Sequence, residues 1–359
     1  MVPFMDTDFL VIGGGIAGVS VGAALSGLGR VTLWEAERQM GLHTSARSAA
    51  LFEESYGLPP VIALNRASRA AHAENGDLSP RGLLLVGIEG EEEIFAADLV
   101  KMQLSEMSLA EARGLIPILS EDVTRAAHDP DAFDLDTDAM QQRAVRAIRA
   151  TGGAVETGRP VTALTPAVGG WRAVSGDHAI TARLVVNAAG AWADRVASLA
   201  GVTPLGLTPL RRSVARIPAP GGADVSAWPM MLGAGESWYA KPDAGALIVS
   251  PADETPSEPM DAWADDMDLA VGLDRYSQAV TVAPTRPSSS WAGLRTFTPD
   301  RCLALGASEV PGFWWVAGQG GYGFQTAPAA AALVADLVAG RPPALDAATV
   351  TACDPVRFL

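Results

Sequence analysis

The stretch of sequence that decides the fold is residues 8–18, DFLVIGGGIAG. Residues 8–12 form a short, mostly apolar run that is typical of a buried parallel strand, and three glycines then interrupt it. Residues 16–28 have the composition of a helix, and residues 31–34 are apolar again. The order of these segments predicts a β-α-β unit.

Three glycines and one acidic residue give this unit the fingerprint of a dinucleotide-binding site. Gly13 permits a tight turn, Gly15 lets backbone N–H groups approach a pyrophosphate, and Gly18 allows the helix to pack closely on the strand. Glu35, at the end of the second strand, can accept hydrogen bonds from the adenosine ribose hydroxyls. The alternative is a glycine-rich packing site without a ligand.

The composition is that of a globular protein, and the chain length corresponds to about two domains. The chain has 359 residues, of which 48% are hydrophobic and 19% charged, enough to bury a large core. Its net charge of −15 repels polyanions, so nucleic acid is not expected as a partner. Cys302 and Cys353 lack metal-type spacing, so we expect no metal site, no disulfide framework and a reducing, cytoplasmic compartment.

One uncharged stretch, residues 9–29, is long enough to span a bilayer. Seven of its residues are glycines, which weaken a helix, and no Lys or Arg precedes it. We therefore expect neither an integral membrane segment nor a signal peptide in this stretch.

Two further segments are predicted to extend the nucleotide-binding sheet. Residues 184–186 form an apolar strand that leads into an Asn-Ala-Ala-Gly turn and a helix over 194–199. Residues 313–317 form another strand, which a glycine-rich turn connects to an alanine-rich helix over 326–338. The N-terminus of that helix can stabilise negative charge on a reduced cofactor ring; the alternative is a plain tight turn.

The stretches between these segments predict a second layer. The fold class is α/β, or α+β overall, with a Rossmann-like domain and a discontinuous antiparallel-sheet domain. Strand-like runs assigned to the antiparallel sheet occupy residues 81–88, 161–174, 207–217, 238–250 and 287–297. Helices are predicted over residues 60–73, 109–115, 138–151 and 261–280. The acidic, Pro-rich residues 251–259 are either a mobile lid or a plain solvated connection, and we expect the latter.

Motifs that recur in one known family occupy residues 8–35, 41–50, 185–194, 293–300 and 318–325. Together they resemble the FAD-dependent D-amino acid oxidase superfamily from one end of the chain to the other. The chain is similar to the bacterial D-amino acid dehydrogenase branch that includes D-arginine dehydrogenase, over residues 56–57, 134–140, 211–213, 238–243 and 291–297. We place a FAD-binding domain at residues 1–80, 138–205 and 298–359, and a substrate-binding domain at residues 81–137 and 206–297.

The resemblance implies a non-covalent FAD cofactor. Attachment through cysteine follows a local pattern that is absent here, so Cys302 is expected to be an ordinary residue. Arg47 and Ser48 would lie beside the isoalloxazine ring, and His43 is expected to form hydrogen bonds or to pack rather than to do chemistry. The residues implied to contact FAD are Gly13, Gly15, Ile16, Ala17, Gly18, Glu35, Ala36, His43, Thr44, Ser45, Arg47, Ser48, Ala189, Gly190, Trp192, Gly320, Gly321, Tyr322, Gly323, Phe324 and Gln325.

The resemblance also implies five residues of the substrate site. Arg212 and Arg295 match the arginines that face the substrate carboxylate, which a guanidinium group binds bidentately. Tyr56 and Tyr239 match hydroxyl-bearing residues above the flavin ring, with packing as their alternative role. The carbonyl of Gly321 would accept a hydrogen bond from the substrate amine.

Two departures from D-arginine dehydrogenase bear on the substrate side chain. Leu83 stands where that enzyme has a glutamate that pairs with its cationic substrate, and Leu51 stands where it has a histidine. These replacements predict a substrate with an apolar or neutral side chain. Glu53 is expected on a helix surface, whereas an inward position would add a negative charge to the site.

The activity implied by the resemblance is that of a D-amino acid dehydrogenase or oxidase. It would deaminate a D-amino acid oxidatively to the 2-oxo acid and ammonia, through hydride transfer from Cα to flavin N5. The alternatives keep the flavin but take a secondary amine, a glycine-type amine or a 2-hydroxy acid, or leave a flavin-binding subunit without turnover. The expected partner is a small amino acid, and the electron acceptor stays open between a quinone and O₂.

Overall fold

The β-α-β unit forms where the glycine motif predicts it. In the computed structural model, which describes residues 5–359, strand β1 (Thr7–Ile12), helix α1 (Ile16–Leu25) and strand β2 (Val31–Trp34) follow one another. β1 and β2 pair in parallel. Every residue of β2 and nearly every residue of β1 is buried, because helices and loops cover both faces of this sheet.

Close contacts at two glycines fix the turn between β1 and α1. A Cβ atom on Gly18 would lie 1.9 Å from the carbonyl oxygen of Gly13, so α1 packs directly on the chain that leaves β1. Gly13 has a φ of +112°, and a Cβ atom there would lie 2.4 Å from the carbonyl oxygen of Ala188. Neither position has room for a side chain, which is the reason for glycine at both.

The other strands of the described residues pair into three sheets. In chain order they are β3 (Leu51–Phe52), β4 (Leu78–Pro80), β5 (Leu83–Ile88), β6 (Glu106–Met107), β7 (Val123–Asp129), β8 (Phe133–Leu135), β9 (Ala154–Glu156), β10 (Ala163–Ala167), β11 (Gly170–Ser175), β12 (His178–Asn187), β13 (Thr208–Pro218), β14 (Met230–Gly233), β15 (Tyr239–Asp243), β16 (Ala246–Ser250), β17 (Thr255–Pro256), β18 (Ser289–Phe297), β19 (Ala304–Ala307) and β20 (Phe313–Ala317).

Most of the predicted helices are confirmed, with small shifts at their ends. The helices after α1 are α2 (Pro59–Glu74), α3 (Glu92–Met102), α4 (Leu109–Leu115), α5 (Thr137–Ala150), α6 (Ala193–Leu199), α7 (Asp266–Gln278), α8 (Gly323–Val338) and α9 (Ala347–Cys353). The helix predicted over 261–280 is shorter than expected, because Asp265 caps α7 by accepting hydrogen bonds from the N–H groups of Met267 and Asp268. Helices α3 and α9 were not predicted from the sequence.

The first sheet has eight strands around a parallel centre. Its order is β10-β11-β12-β1-β2-β9, with β20 beside β12 and β19 beside β20. β1 pairs in parallel with both β2 and β12, so the direction of the winding reverses at β1. The buried faces of α1, α5 and α8 pack together in one core, and α6 belongs to the core on the other side. Because β1, β2, β12 and β20 run parallel, their carboxyl ends lie at the same edge of the sheet.

Residues 161–174 lie in this first sheet, so their assignment to the antiparallel second layer is wrong. β10 and β11 pair antiparallel with each other, and β11 pairs with the first half of β12. The register places Ser175 opposite His178, which leaves two residues for the hairpin loop. Such a short connection forces β11 to lie beside β12.

The second sheet has nine strands, most of them antiparallel. Its order is β17-β13-β16-β15-β14-β5-β7-β6, with β18 paired to β13. The run predicted over 238–250 is a hairpin of β15 and β16 rather than one strand. A third, small sheet contains β3, β8 and β4. We propose that the first and second sheets define the two domains, with the boundaries given above.

The contact at Gly18 predicts the effect of adding a single methyl group. Gly18→Ala should lower the free energy of unfolding by about 2 kcal/mol or more, because α1 must move away from Gly13. Gly114→Ala is the matched control, since Gly114 lies in α4 and a Cβ atom there meets nothing within 4 Å. The control should be stabilised by about 0.5–1 kcal/mol. Urea unfolding curves measure both changes, and equal midpoints for the two variants would contradict the packing argument.

Candidate active site

A cavity of about 540 Å³ opens at the edge where the parallel strands end. Gly13 follows β1, Glu35 follows β2, and residues 188–190 follow β12, and all of them line it. Residues 319–321, after β20, line it as well. The cavity therefore lies at the switch point of the first sheet, which is the usual ligand position in such folds.

The second sheet supplies the other part of the cavity wall. Arg212 on β13, Tyr239 on β15 and Arg295 on β18 all line the cavity. The same cavity is thus lined by the glycine-rich turn after β1 and by the side chains of two arginines and a tyrosine.

Most residues singled out in the sequence lie on the cavity wall. Of the residues implied to contact FAD or the substrate, three do not line it: Gly18 packs against Gly13, and the side chains of Tyr56 and Tyr322 stack edge to face with ring centroids 5.3 Å apart. The residues that do line it are Gly13, Gly15, Ile16, Ala17, Glu35, Ala36, His43, Thr44, Ser45, Arg47, Ser48, Ala189, Gly190, Trp192, Arg212, Tyr239, Arg295, Gly320, Gly321, Gly323, Phe324 and Gln325.

Sequence reasoning missed several lining residues. Gly14 and Gln319 had a signal, because both lie inside the glycine-rich turns. Arg159 and Arg195 had no such sequence signal, because they belong to segments without a motif. Only the folded chain brings them to the cavity. Other missed lining residues are Glu37, Gly41, Leu42, Ala49, Pro160, Val161, Ala191, Gly293, Leu294 and Thr296.

The carboxylate of Glu35 is held in place by the backbone. Its Oε2 accepts a hydrogen bond of 2.5 Å from the N–H of Gly14, and its Oε1 accepts one of 2.8 Å from the N–H of Glu37. A carboxylate has about four acceptor positions, so two remain for the hydroxyl groups of a ligand.

The helices that begin at the cavity have open N-termini. In neither α1 nor α8 does the side chain of the N-cap residue accept a hydrogen bond from the first turn. In α1, the N–H of Ile16 donates to the hydroxyl of Ser45 at 3.0 Å. The uncapped N–H groups and the helix dipoles make both ends favourable for negative charge.

The cavity wall fits FAD. Within residues 5–359, five lining residues have a buried polar atom without a hydrogen-bond partner: Nε1 of Trp34, Nδ1 of His43, Oγ1 of Thr296, Nε2 of Gln319 and Nε2 of Gln325. Buried polar atoms are normally paired, so these atoms point to a polar ligand. Glu35 would hold the ribose, the α1 N-terminus the pyrophosphate, and the glutamine amides and the α8 N-terminus the polar edge of the ring system.

His43 and Arg47 connect the cofactor loop to the segment before α7. His43 packs on Trp192 with ring centroids 4.7 Å apart, and its Nε2 lies 3.2 Å from Glu37. The guanidinium of Arg47 donates to the carbonyls of Ala262 and Ala292 and pairs with Asp261. Most of the N–H donors of the Arg47 guanidinium are therefore bonded to protein acceptors.

Arg212 and Arg295 lie on the same face of the second sheet. β13 and β18 pair so that Leu210 is opposite Arg295 and Gly293 is opposite Arg212, which makes the arginines diagonal neighbours. Burial lowers the pKa of Arg212, and the nearby charge of Arg295 lowers that pKa further. Two buried cations this close favour an anion between them.

Residues 253 and 254 hold Arg212, so the expectation of a purely solvated connection over 251–259 is wrong. Nε of Arg212 donates to the carbonyl of Asp253 at 2.9 Å, and Nη2 donates to Glu254 at 3.3 Å. Arg301 also donates to Glu254, at 2.8 Å. Burial raises the pKa of Glu254, but Arg301 and Arg212 outweigh it and hold that pKa below its usual range.

Arg295 lies against the cofactor turn. A Cβ atom on Gly321 would lie 2.9 Å from Nη1 of Arg295, so a side chain there would displace the guanidinium. The same Nη1 donates to the hydroxyl of Tyr56 at 3.4 Å, and that hydroxyl donates to Glu236 at 3.2 Å. Burial raises the pKa of Tyr56, so the phenol stays protonated. Glu236 is a further residue that the sequence analysis missed.

Apolar side chains surround Tyr239. Ala49 and Leu51 line the cavity and pack against the buried cluster that contains Tyr239. Leu83 belongs to the same cluster and is 3% exposed, although it does not itself line the cavity. This side of the cavity is therefore hydrophobic. The other buried members of the cluster are Leu85, Phe95, Met102, Ala127, Ala132, Val214, Met230, Leu232, Ala234 and Ile248.

Glu53 is buried, so its expected place on a helix surface is wrong. It is 4% exposed, and it does not line the cavity. Its Oε1 accepts a hydrogen bond of 2.8 Å from the N–H of Ser55, and its Oε2 has no partner. Burial raises the pKa of Glu53 to about 7.

Both cysteines lie away from the cavity wall. Cys302 and Cys353 are buried free thiols, and neither lines the cavity. Within residues 5–359, no cluster of His, Cys, Asp and Glu side chains has the arrangement of a metal site. The helices of the same residues include none with the length and apolar character needed to cross a membrane.

Comparisons with known proteins place the site in a family. D-amino acid dehydrogenase 2 of Ralstonia nicotianae is 32% identical over 185 residues, which are 47% of this chain and 41% of that relative. The matched region thus spans less than half of the relative's length. Among solved structures, glycine oxidase from Geobacillus kaustophilus matches with a TM-score of 0.83 and 23% identity, over 97% of this chain and 98% of the other.

L-proline dehydrogenase from P. horikoshii matches with a TM-score of 0.84 and 21% identity, over 99% of this chain and 98% of the other. These structural matches support the fold. The sequence profile of the DAO family, described as FAD dependent oxidoreductase, matches residues 8–337. The protein is therefore a member of the DAO family of FAD-dependent oxidoreductases, and its cofactor is FAD.

Proposed function

We propose that the protein oxidises the Cα–N bond of a D-amino acid with an apolar or neutral side chain to an imino acid, which water then hydrolyses to the 2-oxo acid and ammonia. The observation that carries the proposal is the buried pair Arg212 and Arg295, which lines the cavity next to Gly321 of the cofactor turn. A paired cationic site of this kind suits a small carboxylate.

The arginines would fix the substrate by its carboxylate. Nε and Nη2 of Arg212 bind Asp253 and Glu254, and Nη1 has no hydrogen-bond partner among residues 5–359. Arg295 gives only one hydrogen bond to a side chain, that of Tyr56. Both guanidinium groups thus have donors left for a ligand, and two fixed contacts would orient Cα toward the cofactor.

When bound, FAD supplies the hydride acceptor at N5 of its ring system. The carbonyl of Gly321 would accept a hydrogen bond from the substrate amine, and the hydroxyl of Tyr239 would help to align it. Tyr56 stays neutral because of its burial, so it acts as a hydrogen-bond donor and acceptor and not as a base. The amine can then lose its proton to solvent.

The apolar side of the cavity supports the side-chain preference. Ala49 and Leu51 line it, and Leu83 packs in the cluster behind Tyr239 without a polar group of its own. A cationic side chain would lose hydration there without gaining a partner. The similarity to a D-amino acid dehydrogenase supports the D configuration.

An anaerobic reduction experiment tests this proposal. The purified flavoprotein is mixed without O₂ with D- and L-leucine, D- and L-methionine, D-arginine, sarcosine, glycine and 2-hydroxy acids, and bleaching is followed near about 450 nm, the flavin band. We expect D-leucine and D-methionine to bleach the band fastest. Bleaching only by L-amino acids, sarcosine, glycine or hydroxy acids would refute the proposed substrate. Admission of air or of a quinone afterwards identifies the electron acceptor.

A substitution at Arg295 should act on substrate capture. We expect Arg295→Met to lower kcat/KM for the best D-amino acid about a hundredfold or more, mainly through KM. Arg295→Lys should recover part of the loss, because lysine keeps the charge and loses the bidentate fork. Arg172→Met is the control, since Arg172 is exposed on β11. Unchanged KM in Arg295→Met would contradict the assignment.

The neutral state of Tyr56 predicts the pH dependence. Burial raises the pKa of this phenol, so it should not ionise between about pH 6 and about pH 10. kcat/KM should therefore rise with pH along one limb only, as the substrate amine loses its proton. Tyr56→Phe should lower the rate and keep this limb in place. Loss of the limb in Tyr56→Phe would make Tyr56 the base and overturn this assignment.

A further inference from the structure

A carboxylate lies at the end of the hydrogen-bond chain that begins at Arg295. Nη1 of Arg295 donates to the hydroxyl of Tyr56 at 3.4 Å, and that hydroxyl donates to Oε2 of Glu236 at 3.2 Å. Glu236 lies in the turn after β14, with a φ of +54°. Its charge is therefore two hydrogen bonds away from the guanidinium that lines the substrate side of the cavity.

Helix α3 holds this turn through two side chains. Oδ2 of Asp98 accepts a hydrogen bond of 2.6 Å from the N–H of Gly235. Nζ of Lys101 lies 2.5 Å from Oε1 of Glu236. The two carboxylate oxygens of Glu236 are thus shared between Lys101 and Tyr56.

The ion pair changes the charge that the cavity presents. Glu236 and Lys101 do not line the cavity themselves. Without Lys101, Glu236 would be an unneutralised carboxylate two hydrogen bonds from Arg295, with the hydroxyl of Tyr56 as its hydrogen-bond partner. A half-buried carboxylate near the substrate would attract a cationic side chain. With Lys101 at hydrogen-bond distance, this attraction is cancelled. Glu254 is the other carboxylate near the arginines, and Arg301 and Arg212 neutralise it in the same way.

We propose that Lys101 is a specificity-determining residue, which neutralises Glu236 and so removes the attraction of the site for amino acids with cationic side chains. This inference rests on the proposed function, and it adds the residue that sets the charge preference. Lys101 is a positioning residue, because it acts on the substrate through Glu236. Its side chain is half exposed, so its removal leaves no large hole in a core.

The kinetic test compares substrates within one variant. In Lys101→Met, the ratio of kcat/KM for D-arginine to kcat/KM for D-leucine should rise at least about tenfold, mainly through the KM of D-arginine. Lys101→Arg should keep the original ratio, because it keeps the charge. Adding Glu236→Gln to Lys101→Met should return the ratio toward its starting value. An unchanged ratio in Lys101→Met would overturn the proposal.

Two controls separate charge from structure. Asp98→Asn weakens the hold of α3 on the turn and removes a carboxylate, while it keeps the Lys101–Glu236 pair, so it should not raise the ratio. Arg146→Met removes an exposed cation from another helix, α5, and should leave the ratio unchanged. If Asp98→Asn raises the ratio as much as Lys101→Met does, the effect is structural and the proposal is wrong.

A ligand-binding experiment tests the role of Lys101 independently of the proposed reaction. Flavin absorbance changes report binding of 4-guanidinobutanoate and hexanoate, which share a carboxylate and differ in the cationic group. Lys101→Met should tighten 4-guanidinobutanoate relative to hexanoate at least about tenfold. If no amino acid reduces the flavin but this shift occurs, the reaction is wrong and the role of Lys101 stands. If amino acids react but the shift is absent, only the role of Lys101 fails.

Discussion

The constraint on which the site depends is the repulsion between two buried guanidinium groups. Arg212 and Arg295 are diagonal neighbours on one sheet face, and the charge of Arg295 adds to burial in lowering the pKa of Arg212. The protein offsets this repulsion with Glu254 beside Arg212 and with Tyr56 and Glu236 beside Arg295. A bound carboxylate would complete the balance, so the same charges that cost stability give the site its ligand preference.

The two sheets bring this charge pair to the cofactor turn. The register of β13 and β18 fixes the arginines, and the glycines at the ends of β1 and β20 leave space in front of them. Gly321 shows how tightly the halves meet, because any side chain there would contact the Arg295 guanidinium. The chemistry therefore depends on the interface between the first and the second sheet, and each sheet supplies only part of the site.

The sequence predicts the parts of the site that local motifs encode. The glycines of the first turn and Glu35 follow strand ends, whereas Arg212 and Arg295 lie within strands and were implied by the resemblance to a known family; all of them line the cavity. The placement of β10 and β11 and the burial of Glu53 were missed, since alternating apolar residues fit either sheet and a lone Glu carries no burial signal. Glu236 and Lys101 meet across 135 positions of the chain, and such contacts have no local signature.

The most direct test of the central claim is a binding titration that isolates the carboxylate. The FAD-bound protein is titrated with 4-methyl-2-oxopentanoate and with the corresponding amide, and the flavin spectrum reports binding. The arginine pair predicts saturable binding of the acid and binding of the amide that is weaker by at least about tenfold, with the difference reduced in Arg295→Met. Equal affinities for the acid and the amide would contradict the account, because the buried guanidinium groups would then have no role in holding the ligand.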